Sequence, residues 1–144
     1  MKIIIDAMGG DLAPQAPVRG GLQAAKEFGV EVLFTGNEAA IRHVMKQDGY
    51  DELPAGVEIV NCTEVVDNCD DPSIVWRKKP DSSMTVGLKL LKASRGNAFI
   101  SAGSTGALLS GATLLVRRIR GVKRAAVAPS LPTGRGRAVL IDAG

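Results

Sequence analysis

Two glycine-rich segments place backbone amides where an anion could be held. The first is Asp6-Ala7-Met8-Gly9-Gly10-Asp11, and the second is Ser101-Ala102-Gly103-Ser104-Thr105-Gly106-Ala107. Glycine lets N–H groups approach an anion with no Cβ in the way. The second segment opens an apolar, helix-forming run, and the first N–H groups of a helix favour phosphate. Ser104 and Thr105 add hydroxyl donors. A plain Ser104 helix cap, with Gly103 only making the bend, accounts for these residues about as well. In the first segment Asp6 and Asp11 repel phosphate, so they suit orienting donors or pairing with cations, and a tight connection is the simpler reading. A third segment, Arg77-Lys78-Lys79-Pro80-Asp81-Ser82-Ser83-Met84, joins cations to two hydroxyls at a helix start. That suits a phosphorylated ligand, although a solvated basic loop with an Asp81 or Ser82 cap fits the spacing better. None of the three matches the P-loop or G-x-G-x-x-G pattern.

Other chemistries find little support. His43 is the only histidine and reads as a helix-surface residue, so a nucleophile–histidine pair has little to rest on. Cys62 and Cys69 match neither a redox C-x-x-C pair nor a zinc set and read as free thiols of a reducing cytoplasm. Asp67, Asp70 and Asp71 form an acidic stretch without the spacing of a calcium loop; no metal and no cofactor is expected. The net charge of +3 is modest. Its excess is local, in Arg117, Arg118, Arg120, Lys123, Arg124, Arg135 and Arg137, where a solvated helix end competes with a docking patch for an acidic partner. No aromatic residue interleaves with these cations, which argues against nucleic acid. No signal peptide is visible, and the uncharged stretch 98–116 is too rich in Gly, Ser and Thr for a transmembrane helix.

The elements that must position the turns follow from periodicity. With aromatics at 3%, the core has to be aliphatic. Ile3-Ile4-Ile5 reads as a buried strand. A helix over 16–28 follows, ended by Gly29. Next come a strand over 31–35, a helix over 38–46 capped by Asn37, and a strand over 57–60. A short helix over 72–78 is expected behind Asp71, with Pro72 at its first position. Another helix covers 84–94, a strand 97–101, and a helix runs from the second glycine turn to about Arg118, burying Leu108, Leu109, Ala112, Leu115 and Val116. Strands over 125–128 and 138–141 are joined by too few residues for a parallel crossover, so they pair antiparallel or lie apart. The fold class is α/β: a doubly wound, mainly parallel, Rossmann-like three-layer sheet with an antiparallel pair near the C-terminus. Residues 1–144 form a single domain. Because the chain stops straight after an apolar strand, it is expected to be the N-terminal part of a longer enzyme.

Read together and in order, these segments resemble the PlsX-type phosphate acyltransferases. The resemblance is carried by Asp-Ala-Met-Gly-Gly-Asp after the first strand, Asp71-Pro72 with Arg77-Lys78-Lys79, Ser82-Ser83-Met84, and 101–107. Leu131-Pro132-Thr133 and Leu140-Ile141-Asp142-Ala143-Gly144 add to it. The family usually has Asn where this chain has Ser104. The resemblance implies transfer of a fatty acyl group from acyl carrier protein to inorganic phosphate, giving acyl phosphate for phospholipid synthesis. It further implies a cytoplasmic homodimer with at most peripheral membrane association. Gly9, Gly10, Asp11, Lys78, Lys79, Ser82, Ser83, Gly103, Ser104, Thr105 and Gly106 become the candidate phosphate and substrate site. Ser104, Thr105 and Lys78 are its catalytic candidates. Arg117, Arg118, Arg120, Lys123 and Arg124 become a candidate patch for the acidic carrier protein. The competing expectations are an inert binding or dimerisation module and a phosphotransacetylase or dehydrogenase of related fold. Little turnover is expected of residues 1–144 alone.

Overall fold

A computed structural model describes residues 1–141. Four parallel strands form the main sheet in the order β3-β2-β1-β4: β1 (Lys2–Asp6), β2 (Glu31–Gly36), β3 (Val57–Asn61) and β4 (Ala98–Ile100). The helices α1 (Gln15–Phe28) and α2 (Glu38–Gln47) connect β1, β2 and β3 across one face. After β3 the chain returns through α3 (Val75–Lys78) and α4 (Ser83–Lys92) on the opposite face and enters β4 on the other side of β1. The winding direction therefore reverses between β1 and β4. In an open α/β sheet such a reversal leaves a crevice beyond the carboxyl ends of the two strands, which is where ligands bind.

Both faces of β1 and β2 are covered, which explains their unbroken apolar runs. Ile5, Val32 and Phe34 point to one face and pack with Val18, Leu22, Ile41, Val44 and Met45. Ile4 and Leu33, one residue out of phase, are fully buried. A second cluster of Val75, Met84, Leu88 and Ala107 joins α3, α4 and the helix after β4. Asn37 caps α2 by accepting the Ala40 N–H, as expected from its side chain, and Gly29 ends α1 at φ 62°.

Three elements differ from expectation, each for a local reason. The helix behind Asp71 begins only at Val75, because the Asp71 carboxylate accepts the N–H and hydroxyl of Ser73, at 2.9 and 2.7 Å, and holds a turn there. The helix after β4 is α-helical only as α5 (Thr105–Gly111). It continues as a π-helical turn, Ala112–Val116, and stops at Arg117, whose φ is 79°. In this last turn Thr113 Oγ1 donates to the Leu109 carbonyl and the Arg117 N–H bonds back to Ala112. Leu108, Ala112, Leu115 and Val116 are half-buried, while Leu109 is exposed rather than in the core. Residues 125–128 are exposed and form no strand. The antiparallel pair is instead β5 (Ser130–Thr133) with β6 (Gly136–Val139), because Gly134-Arg135 makes the two-residue turn that brings the chain back. Leu140 and Ile141 are exposed beyond β6, and Asp142, Ala143 and Gly144 lie outside the described residues.

Phe34 is fully buried between β2 and α1 and is the largest side chain of the core. Phe34→Ala is expected to cost about 3–5 kcal/mol, read as a lower denaturation midpoint; an unchanged midpoint would show that this cluster is not the core.

Candidate functional site

The two glycine turns leave the carboxyl ends of β1 and β4, which are neighbours in the sheet. Their approach is fixed by a short chain of hydrogen bonds. Asp6 ends β1 and is 2% exposed. Its Oδ1 accepts the Met8 N–H at 3.1 Å, and its Oδ2 accepts the Ser101 hydroxyl at 2.7 Å. Ser101 Oγ in turn accepts the Gly103 N–H at 3.1 Å. Residues 95 positions apart are thus joined through one buried carboxylate. A Cβ on Gly9 would lie 2.7 Å from Asp6 Oδ2, 2.8 Å from Ser101 Oγ and 2.9 Å from the Gly103 nitrogen, so only glycine fits between the turns. Gly10 takes φ 102°, a conformation that side chains other than hydrogen rarely adopt.

Two further segments close around the second turn. Met84 Cε sits 3.4 Å from where a Gly103 Cβ would be, and Pro72 Cγ sits 3.2 Å from the Gly106 equivalent. The start of α4 and the Asp71-Pro72 turn therefore both abut residues 103–106. Ser104 caps α5, its Oγ accepting the Ala107 N–H at 3.3 Å, which fits the cap reading. Thr105 and Gly106 are exposed at the first turn of α5, where helical N–H groups lack intrahelical partners. The Gly103 N–H is already bound to Ser101 and contributes geometry rather than a free donor. On the other side Gly9, Gly10 and Asp11 line a cleft of about 490 Å³ with Leu12, Ala16 and Ala102.

The basic segment is arranged differently from the glycine turns. Lys79 Nζ is bound to Asp70 at 2.5 Å and to the Val65 carbonyl at 2.9 Å. Arg77 stacks over the Trp76 ring at 4.5 Å. Lys78 is exposed. Ser82 is fully buried as the α4 cap. Its Oγ lies 2.9 Å from the Lys79 carbonyl, 2.8 Å from Thr85 Oγ1 and 3.3 Å from the Thr85 nitrogen. Ser83 follows it, buried, with its N–H on the Glu64 carbonyl. Asp81 anchors the same region by accepting the N–H and hydroxyl of Thr63, at 2.9 and 2.6 Å. The structure thus brings Gly9, Gly10, Gly103, Ser104, Thr105 and Gly106 to one crevice, with Asp11 on its rim. It uses Ser82 and Lys79 to hold the surrounding loop. Sequence pattern does not single out Ser101: a serine at the end of an edge strand has no signal until its partner Asp6 is seen across the sheet.

Among the described residues no cluster of three or more His, Cys, Asp or Glu could hold a metal, and no helix is long and apolar enough to cross a membrane. Cys62 is buried, which pushes its thiol up to about 11, and Cys69 is exposed; both are free. Arg117, Arg118, Arg120, Lys123 and Arg124 are all exposed, with the Arg118 guanidinium donating to the Lys123 carbonyl.

The sequence pattern of the fatty acid synthesis protein family matches residues 1–144, the entire chain. The chain belongs to this family. Relatives named phosphate acyltransferase include those of Alkaliphilus oremlandii (46% identical), Thermoanaerobacter pseudethanolicus (45%) and Herpetosiphon aurantiacus (38%). Each alignment covers all of this chain, but only 42%, 42% and 39% of the respective relative. A phosphotransacetylase from Streptococcus pyogenes has the same fold, with a TM-score of 0.66 over 96% of this chain and 45% of its own, at 19% identity.

Partners hold the carboxyls of Asp70, Asp71 and Asp81 below their ordinary value: Lys79 for Asp70, Ser73 for Asp71 and Thr63 for Asp81. A carboxylate depressed by folding contributes stability above its unfolded pKa, about 4, and loses it as pH falls through the folded value. Amide exchange over residues 62–83 should therefore quicken as pH falls below about 4 once intrinsic rates are corrected for. Asp81→Asn should quicken it already at neutral pH. Protection that is independent of pH and of Asp81 would contradict this assignment.

Proposed function

We propose that the protein of which this chain is part transfers a fatty acyl group from acyl carrier protein to inorganic phosphate, yielding acyl phosphate for phospholipid synthesis. The observation that carries the proposal is the convergence of the two glycine turns at the β1/β4 crevice, in a chain whose relatives are named phosphate acyltransferases. The reaction asks little of nucleophilic side chains, since phosphate is itself the nucleophile. A phosphate oxygen attacks the thioester carbonyl, the C–S bond breaks, and the carrier thiol leaves with a proton. What the protein must supply is a site that holds a dianion beside a thioester and stabilises the developing oxyanion. The amides of Gly9, Gly10, Ser104, Thr105 and Gly106 and the hydroxyls of Ser104 and Thr105 suit that role. Lys78 and Ser83 are additional candidates for holding phosphate, and the reaction so written needs no cofactor.

The exposed cations Arg117, Arg118, Arg120, Lys123 and Arg124 form the surface that receives the acidic carrier. Exposed apolar residues, Ile119 within this stretch and Val139 in β6, support a second surface where two copies meet as a homodimer. The free thiols Cys62 and Cys69 fit a reducing cytoplasm, and the same basic surface fits peripheral membrane contact.

The full-length protein should form acyl phosphate from acyl carrier protein thioesters and phosphate without a nicotinamide cofactor. Formation only from small coenzyme A thioesters would favour the phosphotransacetylase reading instead. Gly9→Ala should raise the KM for phosphate about tenfold or more, because the added Cβ spreads the turns. Reversing Arg117 and Arg118 to glutamate should weaken carrier binding, more so at low salt. Binding unchanged at low ionic strength would remove this patch from the proposal.

A further inference from the structure

We infer that Asp6 and Ser101 are positioning residues: acting as one unit, they set the two glycine turns in the register that binds phosphate. The inference rests on the proposal that these turns face phosphate. Asp6 is a carboxylate 2% exposed, in a position where such a group is costly unless its oxygens are hydrogen-bonded. An ionised carboxylate can only accept, so the Ser101 hydroxyl must donate to it, and Ser101 Oγ then presents its lone pairs to the Gly103 N–H. The other carboxylate oxygen holds the Met8 N–H of the first turn. One carboxylate therefore dictates the backbone orientation of both turns, its two oxygens turned to their donors. Gly9, wedged against Asp6, Ser101 and Gly103, leaves no slack through which the register could drift.

The test is a double-mutant cycle in the full-length enzyme with Asp6→Asn and Ser101→Ala. The Asp6→Asn change keeps the side chain's shape but turns an amide donor toward Ser101, which no longer forces the hydroxyl's direction. Each single change is expected to raise the KM for phosphate about tenfold while leaving the KM for the acyl donor within about twofold. The double variant is expected to be no worse than the poorer single one, because the second change removes an arrangement already lost. Effects that multiply to about a hundredfold, or that lower both substrates' parameters alike in step with melting temperature, would overturn the inference. A second measurement needs no variant: in the wild-type protein the Gly103 amide should be protected from exchange, and titrated phosphate should shift the amides of residues 8–11 and 102–106. A rapidly exchanging Gly103 amide would also overturn it. Wild-type enzyme that makes no acyl phosphate would refute the proposed function instead, and the exchange measurement would still judge the Asp6–Ser101 pair.

Discussion

The arrangement at the crevice depends on where the Asp6 carboxylate sits. Three bonds run through it and Ser101: Met8 N–H to Asp6, Ser101 hydroxyl to Asp6, and Gly103 N–H to Ser101. They join two turns that are far apart in sequence but adjacent in space, because β4 pairs with β1 rather than with β3. A buried carboxylate linked to hydrogen-bond donors in both turns is a stiff connection, since losing either partner leaves a desolvated acceptor behind. The glycines are then a steric consequence. Gly9 has no room for a side chain, and Gly10 turns the chain at a positive φ that a side chain would resist.

The surrounding loops add a second layer of support. Asp81 holds Thr63, Lys79 holds Asp70, and Ser82 caps α4, so the polar stretch between β3 and α4 is tied down through its own side chains. That fixes Pro72 against Gly106 and Met84 against Gly103. Lys79 and Ser82 of the basic segment are hydrogen-bonded within the loop that packs against the crevice. Thr105 and Gly10, by contrast, lie at the crevice itself.

Much of this was legible in the sequence, because strand and helix periods are local properties. Ile3-Ile4-Ile5, the Asn37 cap and the Gly29 stop each announced their element, and alternating strands and helices announced the parallel sheet. The structure departs from the sequence pattern where that pattern is ambiguous or overridden. The alanine-rich run at 125–128 has strand length but only Val127 to bury, and the hairpin forms around Gly134-Arg135 instead. The last turn of the helix after β4 widened to a π turn at Thr113, a change that apolar spacing does not signal. Ser101 stayed hidden for a different reason. Its role exists only across the β1–β4 pairing, which no stretch of contiguous residues encodes.

In the proposed function the two glycine turns, held together by Asp6, form the phosphate side of an acyl-transfer site. A crystal structure of the full-length protein with phosphate bound tests this directly. Density is expected in the β1/β4 crevice, within hydrogen-bond distance of backbone amides at Gly9 or Gly10 and at Ser104 to Gly106. Phosphate seated only among Arg117, Arg118 and Arg124, with the crevice empty, would contradict it.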